Sequence, residues 1–100
     1  GVDVLMGVDP IQDPRADFAE TRRKAQDELC LWGGVNGFVT VERGSEKEVR
    51  QAVREAINTF APGGGFVLSP VDNVTEDTEI SRANVEALLD EWRKQRGYAR

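Results

Sequence analysis

Gly63-Gly64-Gly65-Phe66-Val67-Leu68-Ser69-Pro70-Val71-Asp72-Asn73-Val74 limits the fold more than any other stretch of this chain. It reads as a glycine turn, a short strand and an abrupt polar exit. The glycines reverse the chain after a helix. The successive apolar residues 66–68 predict a strand covered on both faces, as parallel strands flanked by helices are. The exit brings hydroxyl, carboxyl and amide groups to the point where the strand stops. Ligands of parallel α/β folds bind at the carboxyl ends of strands, so Asp72 and Asn73 are expected near any site.

The same strand–helix alternation runs through the rest of the chain. Residues 2–6 predict a first strand that ends at Gly7-Val8-Asp9-Pro10. Asp13-Pro14 opens a helix to about Leu29, with Asp13 as cap and Pro14 in the first turn. Its apolar stripe, Phe18, Ala25 and Leu29, is thin, and Arg22-Arg23-Lys24 lies within it, so a mostly solvated helix is expected. Cys30-Leu31-Trp32 predicts a second strand leading into the glycine-rich residues 33–37. Asn36-Gly37 is a strong hairpin signal, and a hairpin over residues 31–41 competes with a long loop. The loop is preferred because a strong helix follows. Ser45-Glu46-Lys47-Glu48 is a capping box, and Val49, Ala52, Val53, Ala56, Ile57 and Phe60 recur at helical spacing. An acidic loop carries Glu76, Asp77 and Glu79. Ser81 is the expected cap of a last helix whose core stripe is Val85, Leu88, Leu89 and Trp92. Trp32 is likewise expected in the core.

The fold class that follows is α/β, with three consecutive βα units, parallel strands and one domain over residues 1–100. Right-handed crossovers put the helices on one face. The other face is left bare and both edges open, which signals a missing partner.

Composition removes several function classes. The formal net charge of −5 opposes nucleic-acid binding, which needs a basic face, and binding to anionic membranes. No apolar run approaches the roughly 20 residues of a membrane span, and residues 1–6 carry no basic signal region. The single cysteine, Cys30, forms no internal disulfide, which fits a reducing cytoplasm. It reads as a small core residue. Histidine is absent, which removes the commonest general base and metal ligand. Asp9 and Asn36 leave their strands at the same sheet end as Asp72, and each competes with a plain turn role. Ser69 reads as a hydroxyl paired to backbone near that end.

Gly1-Val2-Asp3-Val4-Leu5, Leu31-Trp32-Gly33-Gly34-Val35, Gly44-Ser45-Glu46-Lys47-Glu48-Val49-Arg50, Gly63-Gly64-Gly65-Phe66-Val67-Leu68-Ser69-Pro70 and Asn84-Val85-Glu86-Ala87-Leu88, in that order and spacing, resemble the C-terminal part of the uroporphyrinogen decarboxylase superfamily. That superfamily includes the decarboxylases of haem synthesis and zinc-dependent, corrinoid-linked methyltransferases. The resemblance implies a (β/α)8 TIM barrel of about 250 residues, of which this chain is a C-terminal fragment supplying the last three βα units. It implies a tetrapyrrole or a corrinoid-linked methyl group as substrate, with zinc or corrinoid in the parent enzyme and no cofactor in this chain. Asp72 stands near the place of the decarboxylases' histidine and the methyltransferases' cysteine, and so becomes the catalytic candidate. Asp9, Asn36, Ser69 and Asn73 become substrate-binding candidates. An aspartate cannot both donate and accept as a histidine does, so this chain alone is not expected to decarboxylate uroporphyrinogen. The competing expectation is a non-catalytic module that self-associates through its open sheet, a homo-oligomer in place of the missing barrel half.

Overall fold

The computed structural model of the chain describes residues 3–9, 18–25, 29–62, 64–71 and 77–97. The elements run β1 (Val4–Val8), α1 (Phe18–Ala25), β2 (Cys30–Asn36), one wide π-type helical turn (Gly37–Glu42), α2 (Glu46–Phe60), β3 (Phe66–Val71) and α3 (Glu79–Gln95). β2 lies between β1 and β3 and pairs in parallel with both. The α/β class, the alternation and the parallel sheet are as the sequence predicts.

The hairpin at Asn36-Gly37 does not form. Both edges of β2 are taken by parallel partners, and the chain after Asn36 coils into the π turn, which buries Thr40, Val41 and Glu42. The preferred long loop is corrected too, since Gly33 and Gly34 belong to β2. A Cβ on Gly33 (φ +137) would stand 2.7 Å from the Val8 carbonyl oxygen and 3.2 Å from a Val71 methyl. Glycine there lets the neighbouring strands close in. β1 runs on through Gly7 and Val8. Met6 pairs with Trp32 and Val8 with Gly33, so Gly7 (φ +84) is the extra residue of a bulge.

Register sorts the side chains by face. Leu5, Leu31 and Phe66 share one row, and Met6, Trp32 and Val67 the next. In the first row Leu31 is fully buried and Phe66 packs on the core, while Leu5 at the β1 edge is exposed; Met6, Trp32 and Val67 of the second are exposed. The predicted burial of β3 on both faces, and of Trp32, is therefore corrected. The described helices cover one side and nothing in the described chain covers the other.

α2 is the middle of the covering layer. Its capping box forms as predicted, with Ser45 Oγ accepting from the Glu48 N–H at 3.1 Å. Val49, Val53, Ala56, Ile57 and Phe60 are buried, each contributing about 1.5–3 kcal/mol by leaving water, less for Ala56. Phe60 stacks on Phe66 with ring centroids 5.4 Å apart. The described part of α1 ends at Ala25, and Leu29 lies outside it. Its predicted solvation fails at Arg22, which is 9% exposed. The Arg22 guanidinium donates to the Phe60 carbonyl at 3.4 Å and the Gly65 carbonyl at 3.1 Å. Asp13 and Pro14 lie outside the described residues.

α3 corrects its predicted cap and stripe. Thr78 is the cap, and Ser81 sits three residues on as the returning half of the box. Leu89 (43%) and Trp92 (37%) are exposed, and Arg96 lies over the Trp92 ring. Leu88 is buried and Val85 packs against the core as predicted, and the buried side also carries Ser81, Asn84, Ala87 and Glu91. The face is rotated because Glu91 meets cations from α2: Arg50 and Arg54, each at 3.5 Å. Arg50 also reaches Asp90 at 2.6 Å.

These contacts carry a pH dependence. The Arg50 hydrogen bond, then Lys94, holds the Asp90 carboxyl below its ordinary value. The Gln95 hydrogen bond, with Arg54 and Arg50, holds Glu91 low against the opposing effect of burial. A carboxyl lowered on folding stabilises the fold above its unfolded pKa and loses that contribution as pH falls through its folded value. The melting temperature is expected to drop as pH falls below about 4.5. Glu91→Gln should lower it at pH 7 and flatten the acid limb. Identical acid limbs for the two proteins in scanning calorimetry would remove Glu91 from the account.

Candidate functional site

The carboxyl ends of β1 and β2 gather polar side chains that the core could not otherwise hold. Asp9 directly follows β1, and Asn36 is the last residue of β2. Each is 4% exposed, and Asn36 Nδ2 donates to Asp9 Oδ2 at 2.8 Å. Desolvating a carboxylate is costly unless hydrogen bonds replace its water, and this amide supplies one. The chain order explains the meeting. Parallel neighbours end at the same sheet edge, and the Gly7 bulge adjusts the register of β1 just before Asp9.

Two of the five sequence candidates are thus brought together. Ser69 lies within β3, two residues before its end, half-buried. Its hydroxyl donates to the Pro70 carbonyl at 2.9 Å, the backbone pairing expected of it. Ser69 and Pro70 belong to the strand, so the polar exit begins later than the sequence suggests. Asp72 and Asn73 lie outside the described residues. Cys30 is half-buried, its thiol directed to the Leu31 carbonyl at 3.9 Å.

Asn84 is the residue that sequence reasoning passed over. It is 1% exposed, and its side-chain amide donates to the Val41 carbonyl at 2.9 Å and the Gly44 carbonyl at 2.6 Å. Those carbonyls belong to the end of the π turn and to the link into α2. α3 therefore fixes the segment that leaves the β2 end, next to the Asp9–Asn36 pair. An asparagine within an otherwise apolar helical repeat is the available signal. Thr40 and Glu42 are buried on the same turn.

Among the described residues, no three His, Cys, Asp or Glu side chains converge as a metal-binding group. The chemistry of the described strand ends is hydrogen bonding by a carboxylate and an amide, suited to holding N–H groups or positive charge. Among the described residues, no helix is long and apolar enough to cross a membrane. No protein-family model matches the chain, and no curated protein matches it.

Asn84→Ala is expected to cost about 2 kcal/mol by leaving buried carbonyls short of a donor. For a chain of this size that is a fall in Tm on the order of 10 °C. Asn84→Asp at pH 7 should be at least as damaging, because a carboxylate would face the same carbonyls. Thermal melts ranking Asn84→Asp above Asn84→Ala would refute the clamp.

Proposed function

We propose that the chain supplies three consecutive βα units of a (β/α)8 barrel enzyme similar to the uroporphyrinogen decarboxylase superfamily. The parent acts as a decarboxylase or methyltransferase on a tetrapyrrole or a corrinoid-linked methyl group. The observation that carries this reading is the sheet: parallel strands in chain order, helices on one side, an apolar opposite side, and the Asp9–Asn36 pair where two strands end. A barrel uses each of these features, since its interior is the uncovered side of such a sheet.

In this reading Asp72 and Asn73 stand with Asp9 and Asn36 around one mouth, and Ser69 faces the interior just below them. A carboxylate at the mouth accepts from substrate N–H groups or offsets positive charge on a ring nitrogen. The reacting geometry is completed by the rest of the barrel, so this chain alone is inactive. In the full-length protein, Asp72→Ala is expected to lower kcat/KM by about a hundredfold and to move Tm by no more than about 2 °C, the scale of a surface change. A large loss of Tm with activity intact would make Asp72 a turn residue.

The same uncovered face supports a second reading, a non-catalytic module whose copies associate through the open sheet. Met6 is 66% exposed and Trp32 and Val67 are each 37% exposed in one cross-strand row. Light scattering on the purified chain separates the readings. Association into a discrete dimer favours the module. A well-behaved monomer that binds no apolar dye counts against the barrel slice, whose uncovered interior would be apolar surface in water.

A further inference from the structure

Asn36-Gly37 is the turn signal that makes no hairpin. It closes β2 and opens the π turn, and both residues are buried. Of the asparagines Asn36, Asn58, Asn73 and Asn84, only Asn36 precedes a glycine. The other three precede Thr59, Val74 and Val85, whose branched side chains crowd their own amide nitrogens. Glycine has no Cβ to do so, which leaves the Gly37 nitrogen able to attack Cγ of Asn36. The Gly37 N–Cγ bond forms as the Cγ–Nδ2 bond breaks, and the amide proton of Gly37 leaves with Nδ2 as ammonia. Water then opens the succinimide at either carbonyl and yields aspartate or isoaspartate. One amide and one water become one carboxylic acid and one ammonia, with nothing oxidised or reduced.

The fold opposes the first step by geometry. Attack requires the Asn36 side chain to turn back onto the following peptide, whereas its Nδ2 donates to Asp9 Oδ2 at 2.8 Å. Asp9 and Asn36 are each 4% exposed, so water has little access to them. Opening of the strand ends removes both restraints together. The product then fits the closed fold badly. A carboxylate at position 36 replaces the donor with a second acceptor and sets like charges side by side out of water. Isoaspartate also lengthens the backbone by a methylene where Asn36 pairs with Val71. We propose that Asn36-Gly37 is a covalent modification site that records opening of the strand ends. It deamidates while the Asp9–Asn36 pair is apart, and the acid that forms keeps the pair from closing again. This inference does not rest on the barrel reading, because both partners belong to this chain.

The test holds the intact chain at mildly alkaline pH, folded in buffer and unfolded in urea. Peptide mass mapping locates the amide-to-acid conversion, and enzymatic methylation counts isoaspartate. In urea, Asn36 should convert ahead of Asn58, Asn73 and Asn84. In the folded chain its conversion should be at least about tenfold slower, as expected of a reaction that waits for local opening. Asn36→Asp reproduces one product and should lower Tm at pH 7 by at least about 10 °C, the scale of an uncompensated buried charge. Adding Asp9→Asn to it restores one amide facing one carboxylate and should regain most of that loss, a coupling that independent sites do not show. Should Asn36→Asp fail to fold, a folded double variant reports the same rescue. Equal rates in the folded and unfolded chain, faster conversion at another asparagine, an Asn36→Asp protein as stable as the parent, or a double variant no more stable than Asn36→Asp would each overturn the proposal.

Discussion

A parallel strand reaches its neighbour only by a crossover, and right-handed crossovers keep their helices on one side of the sheet. With β1, β2 and β3 in chain order, this constraint settles most of what the molecule presents. On the covered side Leu31 is buried and Phe66 packs on the core, though Leu5 of the same row is exposed at the β1 edge, and the Met6–Trp32–Val67 row is open. Three strands have no second set of helices to close that side. The apolar face follows from the connectivity rather than from any single residue.

α2 bears the consequence. It packs on β2, and it is tied at both ends by its neighbours. Arg22 of α1 donates to the last-turn carbonyl at Phe60 and to Gly65 just before β3. Asn84 of α3 donates to carbonyls at Val41 and Gly44 just before α2 begins. Helix ends leave backbone groups without partners in the helix. Here long polar side chains from adjacent helices satisfy carbonyls at one end and order the approach at the other. Arg50 and Arg54 add the α2–α3 ion pairs. Apolar burial gives the layer its cohesion, and these directional contacts give α2 its position.

Periodicity made α2 and the strand–helix rhythm legible in the sequence, because the capping box and the apolar positions from Val49 to Phe60 agree. It misled wherever a polar side chain was buried in partnership. Glu91 and Asn84 stood outside the predicted stripe and are interior, while Leu89 and Trp92 of that stripe face outward. Arg22 hid in a basic run for the same reason. Its partners, Phe60 and Gly65, lie 38 and 43 residues away, and no local pattern encodes them. Gly33 and Gly34 looked like loop and lie in a strand, since glycine marks close approach as readily as a turn. Of the site, the sequence located Asp9 and Asn36 by strand order, and their mutual hydrogen bond needed the register. Asp72 and Asn73 lie outside the described residues.

Charge is sorted along the sheet in a way that bears on any ligand. Where β1 and β2 end, a carboxylate and an amide are held out of water and bound to each other. On the open face, the exposed cross-strand row of Met6, Trp32 and Val67 is apolar. Burial of the open row by any covering surface is favourable, whereas the pair tolerates burial because its members bond each other. That polarity is a property of the three strands themselves, and it holds whether the uncovered face closes into a barrel or meets another copy.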